Sequence, residues 1–170
     1  MRVIVLFLCC IAIVLTAAFD IGYRINLTHS EPIGLYKIES TPPARGDLAA
    51  FCLSPENAYT AISSNRNYLG TSSLCPSGQK PLLKEVAGLA GDSVTVHSSL
   101  IQVNDKLVIL TSRTRDNQGR ELPRKLRSGI IPKGKALLLS THHKNSFDSR
   151  YFGLVDASTL RKVIPIFTFN

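Results

Sequence analysis

Hydrophobic positions change their rhythm once along the chain. From Val3 to Phe19 they run unbroken except at Thr16, and no charge interrupts them before Asp20. A helix of about 17 such residues just spans a hydrocarbon core. It is apolar on every side and has no partner large enough to bury it in so small a domain. The pattern therefore predicts one N-terminal transmembrane helix, residues 1–19, ahead of a second unit, residues 20–170. The rival reading is a cleaved signal peptide, for which Thr16-Ala17-Ala18 offers only a weak cleavage site. The length criterion favours an uncleaved anchor.

Beyond Asp20, short apolar runs alternate with turn residues. Strands are predicted at Gly34 to Ile38, Leu48 to Leu53, Leu82 to Leu89, Val94 to Val96, Ile101 to Val103, Leu107 to Leu110, Ala136 to Leu139 and Val163 to Phe169. Thr41 to Asp47 reads as a turn, and so does Asn104-Asp105. One short helix is predicted from Ser54 as N-cap and Pro55 as first helical residue, ending near Asn67 to Gly70. Gly70 to Pro81 is loop-like, and Thr111 to Gly129 is a polar, basic surface excursion. Many short strands and few helices make the fold mainly β.

Composition adds the compartment. With 170 residues and 44% hydrophobic content, the chain can bury a core. Lys and Arg total 20 against 12 acids, an excess that fits nucleic acid, an anionic membrane or plain solubility. No zinc-knuckle spacing, aromatic-interleaved basic stripe or helix-turn-helix pattern accompanies it, so nucleic acid is set aside as a partner. Arg2 and the terminal amine hold the short N-terminal side in the cytoplasm by the positive-inside bias, which puts the body outside the cytoplasmic membrane. Cys9 and Cys10 lie in the apolar run. Cys52 and Cys75, the only two in the body, read as a disulfide in an oxidising compartment, against the alternative of two buried thiols.

Candidate chemistry sits at three places. On an extended Leu82–Val86, Lys84 shares a face with two apolar neighbours. It either snorkels to water or is buried, and burial would make it a neutral amine able to act as a base. Ser30 precedes Pro32 and Gly34, which stiffen the turn presenting it; an ordinary loop serine is the plainer reading. Asn145 to Gly153 gathers hydroxyls, Asp148 and Arg150 beside aromatics, and otherwise reads as a polar turn with a surface ion pair.

Taken together, Ser-x-Pro-x-Gly-Leu-Tyr, Leu-Lys-x-Val-x-Gly-x-x-Gly-Asp and Ser-x-Asp-Ser-Arg-Tyr-Phe-Gly resemble the signal peptidase I superfamily. In particular they resemble its TraF branch, the conjugative-transfer peptidases that mature pilin precursors. The three blocks stand in the family's order behind an anchor. The resemblance implies a signal-peptidase-like β domain, with Ser30 as nucleophile and Lys84 as general base. It implies an oxyanion site from the Ser30 N–H and the Thr28 hydroxyl. Ser146 would hydrogen-bond the lysine, and Asp148 and Arg150 would brace that segment. Neither a metal nor a cofactor is implied. Two departures stand out: housekeeping signal peptidases usually carry methionine after the serine, where this chain has Glu31, and the chain is short for an enzyme with a second large domain. Both favour a dedicated exported protein substrate, a conjugative pilin precursor, over general preprotein processing.

Other constellations are weaker. Ser77-Gly78-Gln79-Lys80 has Ser-x-x-Lys spacing but no companion motifs and no helix to support it. His142 and His143 point to opposite faces of any strand and chelate poorly. Asn26-Leu27-Thr28 fits a glycosylation sequon, which a bacterial setting makes a coincidence. Arg124-Lys125-Leu126-Arg127 is a solvated face or a contact to anionic lipid. The expectation is thus a membrane-anchored Ser–Lys peptidase that hydrolyses or cyclises its substrate. The alternatives are a general type I signal peptidase, and a non-catalytic assembly component among the other parts of a conjugation or secretion apparatus.

Overall fold

The computed structural model describes residues 2–97, 100–109, 113–143 and 145–169. The apolar run forms one helix, α1 (Arg2–Asp20), with no buried residue. At a mean hydropathy of 2.7 it is long and apolar enough to cross a membrane. Either a retained anchor or a signal sequence meets that description.

The body is mainly β. Its larger sheet takes β1 (Tyr23–Asn26), β2 (Ile33–Ile38), β3 (Leu48–Phe51), β4 (Leu82–Leu89), β9 (Lys135–Leu139), β10 (Val155–Asp156) and β11 (Arg161–Phe169). The seven strands lie in the order β1-β2-β11-β3-β4-β9-β10 and pair antiparallel. A smaller antiparallel sheet holds β5 (Ser93–Val96), β6 (Ile101–Val103), β7 (Lys106–Ile109) and β8 (Gly129–Ile130), in the order β7-β6-β5-β8.

β9 explains how the two sheets meet. Its run Ala-Leu-Leu-Leu is apolar at every position because both faces are covered. Ala136 and Leu138 join Ala49, Phe51, Leu82, Val86 and Phe152 in one core. Leu137 and Leu139 turn the other way, onto Val94, Ile101, Val103 and Ile131 in a second core between the sheets. In β4, ordinary alternation sends neighbouring Val86 and Ala87 into different cores, and a bulge between Val86 and Gly88 shifts the register with β9.

Most predicted strands form within a residue or two of their expected bounds. Leu110 and the first two residues of the predicted excursion, Thr111 and Ser112, lie outside the described residues. The helix is a correction. α2 spans Ala58–Asn65, capped by Asn57 rather than Ser54. Ser54 instead starts a turn: its carbonyl accepts from the Asn57 amide at 3.0 Å and from the Thr60 hydroxyl at 2.6 Å. Asn57 then accepts from the Tyr59 amide at 2.9 Å, and Pro55 lies in the turn. A second helix, α3 (Ser149–Phe152), was not expected; Asp148 caps it by accepting from the Arg150 amide.

Candidate active site

Ser30 sits on the turn between β1 and β2, and one side chain ties that turn together. Asn26, the last residue of β1, donates through its amide nitrogen to the carbonyls of Thr28, Glu31 and Pro32, each at 3.0 Å. Its amide oxygen accepts from the Thr28 backbone N–H at 3.0 Å and from the Thr28 hydroxyl at 2.7 Å. Tyr36 closes the other side by donating its hydroxyl to the Pro32 carbonyl at 2.6 Å. Ser140, just past β9, donates its hydroxyl to the Ser30 carbonyl. The result is a braced loop that presents Ser30 Oγ 3.3 Å from Thr28 Oγ1. The Thr28 proton points to Asn26, so to donate toward an oxyanion this hydroxyl must turn away from that partner.

Gly34 has an independent structural reason. It faces Thr168 across the β2–β11 ladder, and a Cβ there would stand 2.1 Å from the Phe167 carbonyl oxygen. Only glycine permits that approach of the two backbones.

Lys84 lies on β4 with Leu82 and Val86 on the same buried face, and it is only 3% exposed. Its cross-strand partner on β3 is Ala49, whose small side chain leaves room beside the lysine stem. Nζ donates to the Leu83 carbonyl at 2.9 Å. Burial pulls its pKa down from 10.5 to about 8, against the opposing pull of the Asp148 and Glu31 carboxylates.

Ser30 and Lys84 open onto one cleft of about 770 Å³, whose lining also includes Thr28, Ser146 and Phe147. Their polar atoms do not hydrogen-bond to each other in this arrangement: Ser30 faces Thr28, and Lys84 faces the Leu83 carbonyl. Ser146 Oγ is buried without a hydrogen-bond partner among the described residues, so its expected bond to the lysine is not drawn either.

Asp148 and Arg150 form a fully buried pair at the start of α3. Arg150 Nε and Nη2 each meet one Asp148 oxygen at 2.8 Å. The same carboxylate accepts from the Ser140 amide at 3.1 Å, and Arg150 also donates to the Ser146 carbonyl at 3.0 Å. The pair therefore clamps the Ser146 segment to the strand end beside Ser30. Cys52 and Cys75 are bonded, with Cα atoms 5.5 Å apart. The bridge fastens the chain after β3 to the loop whose Ser72, Leu74 and Lys80 form another wall of the cleft.

Three residues that the sequence reading passed over prove central to this geometry. Asn26 was legible only as a sequon, although an Asn two residues before a hydroxyl is also an Asx-turn signal. Ser140 has no local signal, because it acts across the fold. Glu31 was noted as a departure but not as buried, yet it is 5% exposed, and Oε1 has no hydrogen-bond partner among the described residues. Burial pushes its carboxyl from 4.5 up to about 7, while the Lys84 charge acts the opposite way.

A model of the family described as signal peptidase, peptidase S26 matches residues 1–166. The chain belongs to the signal peptidase family, peptidase S26. That membership places it in the serine peptidase class. Among individual relatives, the conjugal transfer protein TraF of Agrobacterium fabrum strain C58 is 36% identical over 152 residues, covering 88% of this chain and 84% of its own. The plasmid transfer protein TraF of Escherichia coli is 34% identical over 164 residues, covering 94% and 91%. A solved signal peptidase I from Enterococcus faecalis V583 aligns with 74% of this chain and 99% of its own, at 20% identity and a TM-score of 0.40. That superposition is distant, and family membership rests on the sequence matches.

Proposed function

We propose that this chain is a membrane-anchored Ser–Lys peptidase that matures an exported protein during conjugation, a pilin precursor being the substrate class. Ser30 Oγ attacks the scissile carbonyl carbon while Lys84 Nζ takes its proton. The Ser30 amide N–H, helped by the Thr28 hydroxyl once it turns, receives the oxyanion. Collapse expels the amine, which leaves with the proton held on Lys84. The acyl group on Ser30 then passes to water or to the substrate's own amino terminus, giving a hydrolysed or a cyclic product.

The observation that carries this reading is Lys84. A lysine enclosed on an apolar strand face, at the wall of the cleft that also holds Ser30, is costly unless its neutral form is used. Lys84 Nζ would have to leave the Leu83 carbonyl to reach Ser30, and catalytic hydrogen bonds often tighten only with substrate bound. Conjugation enters through the names of the TraF relatives. Anchoring is supported by α1, which has no buried residue. Exposed Ile25, Phe167 and Phe169 on β1 and β11 extend the apolar surface near its end.

The test uses the full-length chain in membranes with a conjugative pilin precursor as substrate. Ser30→Ala and Lys84→Ala should each abolish maturation while the protein remains folded and inserted. The double variant should be little worse than either single, because the two act as a unit. Lys84→Arg should be equally inert, since a guanidinium keeps its proton. Robust maturation by Lys84→Ala overturns the assignment.

A further inference from the structure

The buried carboxyl next to the nucleophile has no role in the scheme above, and its surroundings suggest one. Glu31 directly follows Ser30 and is enclosed, with Oε1 unpartnered among the described residues. The groups acting on it come from every element packed around it. Lys84 and Glu85 lie on β4, Asp148 at the head of α3, and Ser140 past β9. Tyr36 on β2 senses the Glu31 charge in turn.

Two carboxyls act on Lys84, those of Asp148 and Glu31, and the first is already engaged. Asp148 is held at both oxygens by Arg150, and further by the Ser140 amide, so its charge is largely offset. Glu85 sits on the other face of β4, partly exposed, and accepts from the Thr141 hydroxyl at 3.1 Å. Only Glu31 is both buried and without a cation of its own. Resting on the Ser30–Lys84 reading, we propose that Glu31 is the positioning residue of this site: its carboxylate is the counter-charge for the ammonium that forms on Lys84 as Ser30 gives up its proton.

The proton balance is simple. The Ser30 O–H bond breaks, an N–H bond forms on Lys84, and the positive charge created there faces a carboxylate that stays ionised. In water-excluded surroundings that attraction is strong, and it grows as the charge develops. The arrangement has a second consequence. An ionised Glu31 also holds the ground-state ammonium, so it raises the pH at which Lys84 becomes a base. The same attraction acts on Glu31, whose carboxyl the Lys84 charge pulls down against the upward push of burial.

The pairing predicts an unusual double effect of Glu31→Gln. Lys84 should lose its proton at lower pH, by roughly one unit, the usual scale for removing a close opposite charge. The acid limb of the rate should move down by the same amount, while the alkaline plateau falls. A merely structural role would lower the rate without moving the limb.

Two readouts on the full-length protein in detergent test this. The first is the Lys84 side-chain titration by heteronuclear NMR in wild type and Glu31→Gln. The second is Ser30-dependent release of 4-nitrophenolate from 4-nitrophenyl acetate across pH, with Ser30→Ala as blank. A matched downward shift in both supports the inference. An unmoved Lys84 titration in a folded Glu31→Gln overturns it, while leaving the Ser–Lys peptidase reading intact. Absence of any Ser30-dependent release from wild type overturns that reading, and this inference with it. Should Glu31→Gln fail to fold, the wild-type titration still decides. A Lys84 resonance that inflects again where the Glu31 carboxyl titrates supports the pairing, and one that ignores that titration overturns it.

Discussion

At the scale of single residues, the geometry of the Ser30 turn depends on side chains other than Ser30 itself. Asn26 is the clearest case. One amide group meets three carbonyls, one backbone N–H and one hydroxyl of the Ser30 turn. Asn26→Ala should leave the cores intact, because the residue is only partly buried and lies outside both. The freed turn would misplace Ser30, and a displacement near 1 Å can reduce turnover about 100-fold. Turnover reduced to that degree with an unchanged thermal midpoint checks the prediction; wild-type turnover refutes it. Strand alternation set Lys84 between Leu82 and Val86 in the sequence but left burial and snorkelling both open, and the packing decides for burial. Asn26 and Ser140 were not legible, because their work lies in loop closure and long-range contact, which leave no periodic signal. Glu31 shows the limit from the other side. A glutamate in a turn reads as exposed, and only the packing of β4, β9 and α3 around it makes it buried.

At the scale of elements, the β ladder sets how closely segments of the site approach. Gly34 brings β2 against β11 with no room for a methyl group. Gly34→Ala should separate the two backbones and destabilise the fold by about 2 kcal/mol or more, within the range for overpacking a tight site. Denaturant unfolding should register the loss, and a neutral result would mean that β11 shifts freely. The strands were readable where one face or both faces are apolar, as in β4 and β9. The start of α2 was misread because two rival caps, Ser54 and Asn57, lie three residues apart, and Ser54 is taken up by its own turn. α3 escaped notice because one helical turn has too few residues to show a period. It nonetheless carries Arg150, whose pairing with Asp148 clamps the Ser146 segment that lines the cleft.

At the scale of the molecule, the short connection from α1 to Ser30 matters most. About ten residues join Phe19 to Ser30, and even fully extended they reach no more than roughly 35 Å. Under the anchored reading, the cleft stays close to the membrane face where a tethered precursor presents its cleavage site. Confining both partners to one plane raises their effective concentration without any new contact. A chain starting at Asp20 should therefore cleave a membrane-bound precursor far more slowly, and a short soluble peptide at nearly the full rate. Equal slowing of both would mean that α1 supports the fold rather than the encounter. The helix α1 was legible in the sequence, since the run from Val3 to Phe19, broken only at Thr16, needs no tertiary information to be recognised.

The dyad itself is tested most directly by the pH dependence of kcat/KM for a synthetic peptide spanning the precursor's cleavage site. Lys84 must be neutral to take the Ser30 proton, and its ammonium dissociates at about 8. Below that pH the rate should fall tenfold per unit as the amine is protonated; above it the rate should level off. A profile flat across this range, or a rise delayed to the ordinary lysine value of 10.5, would contradict the account.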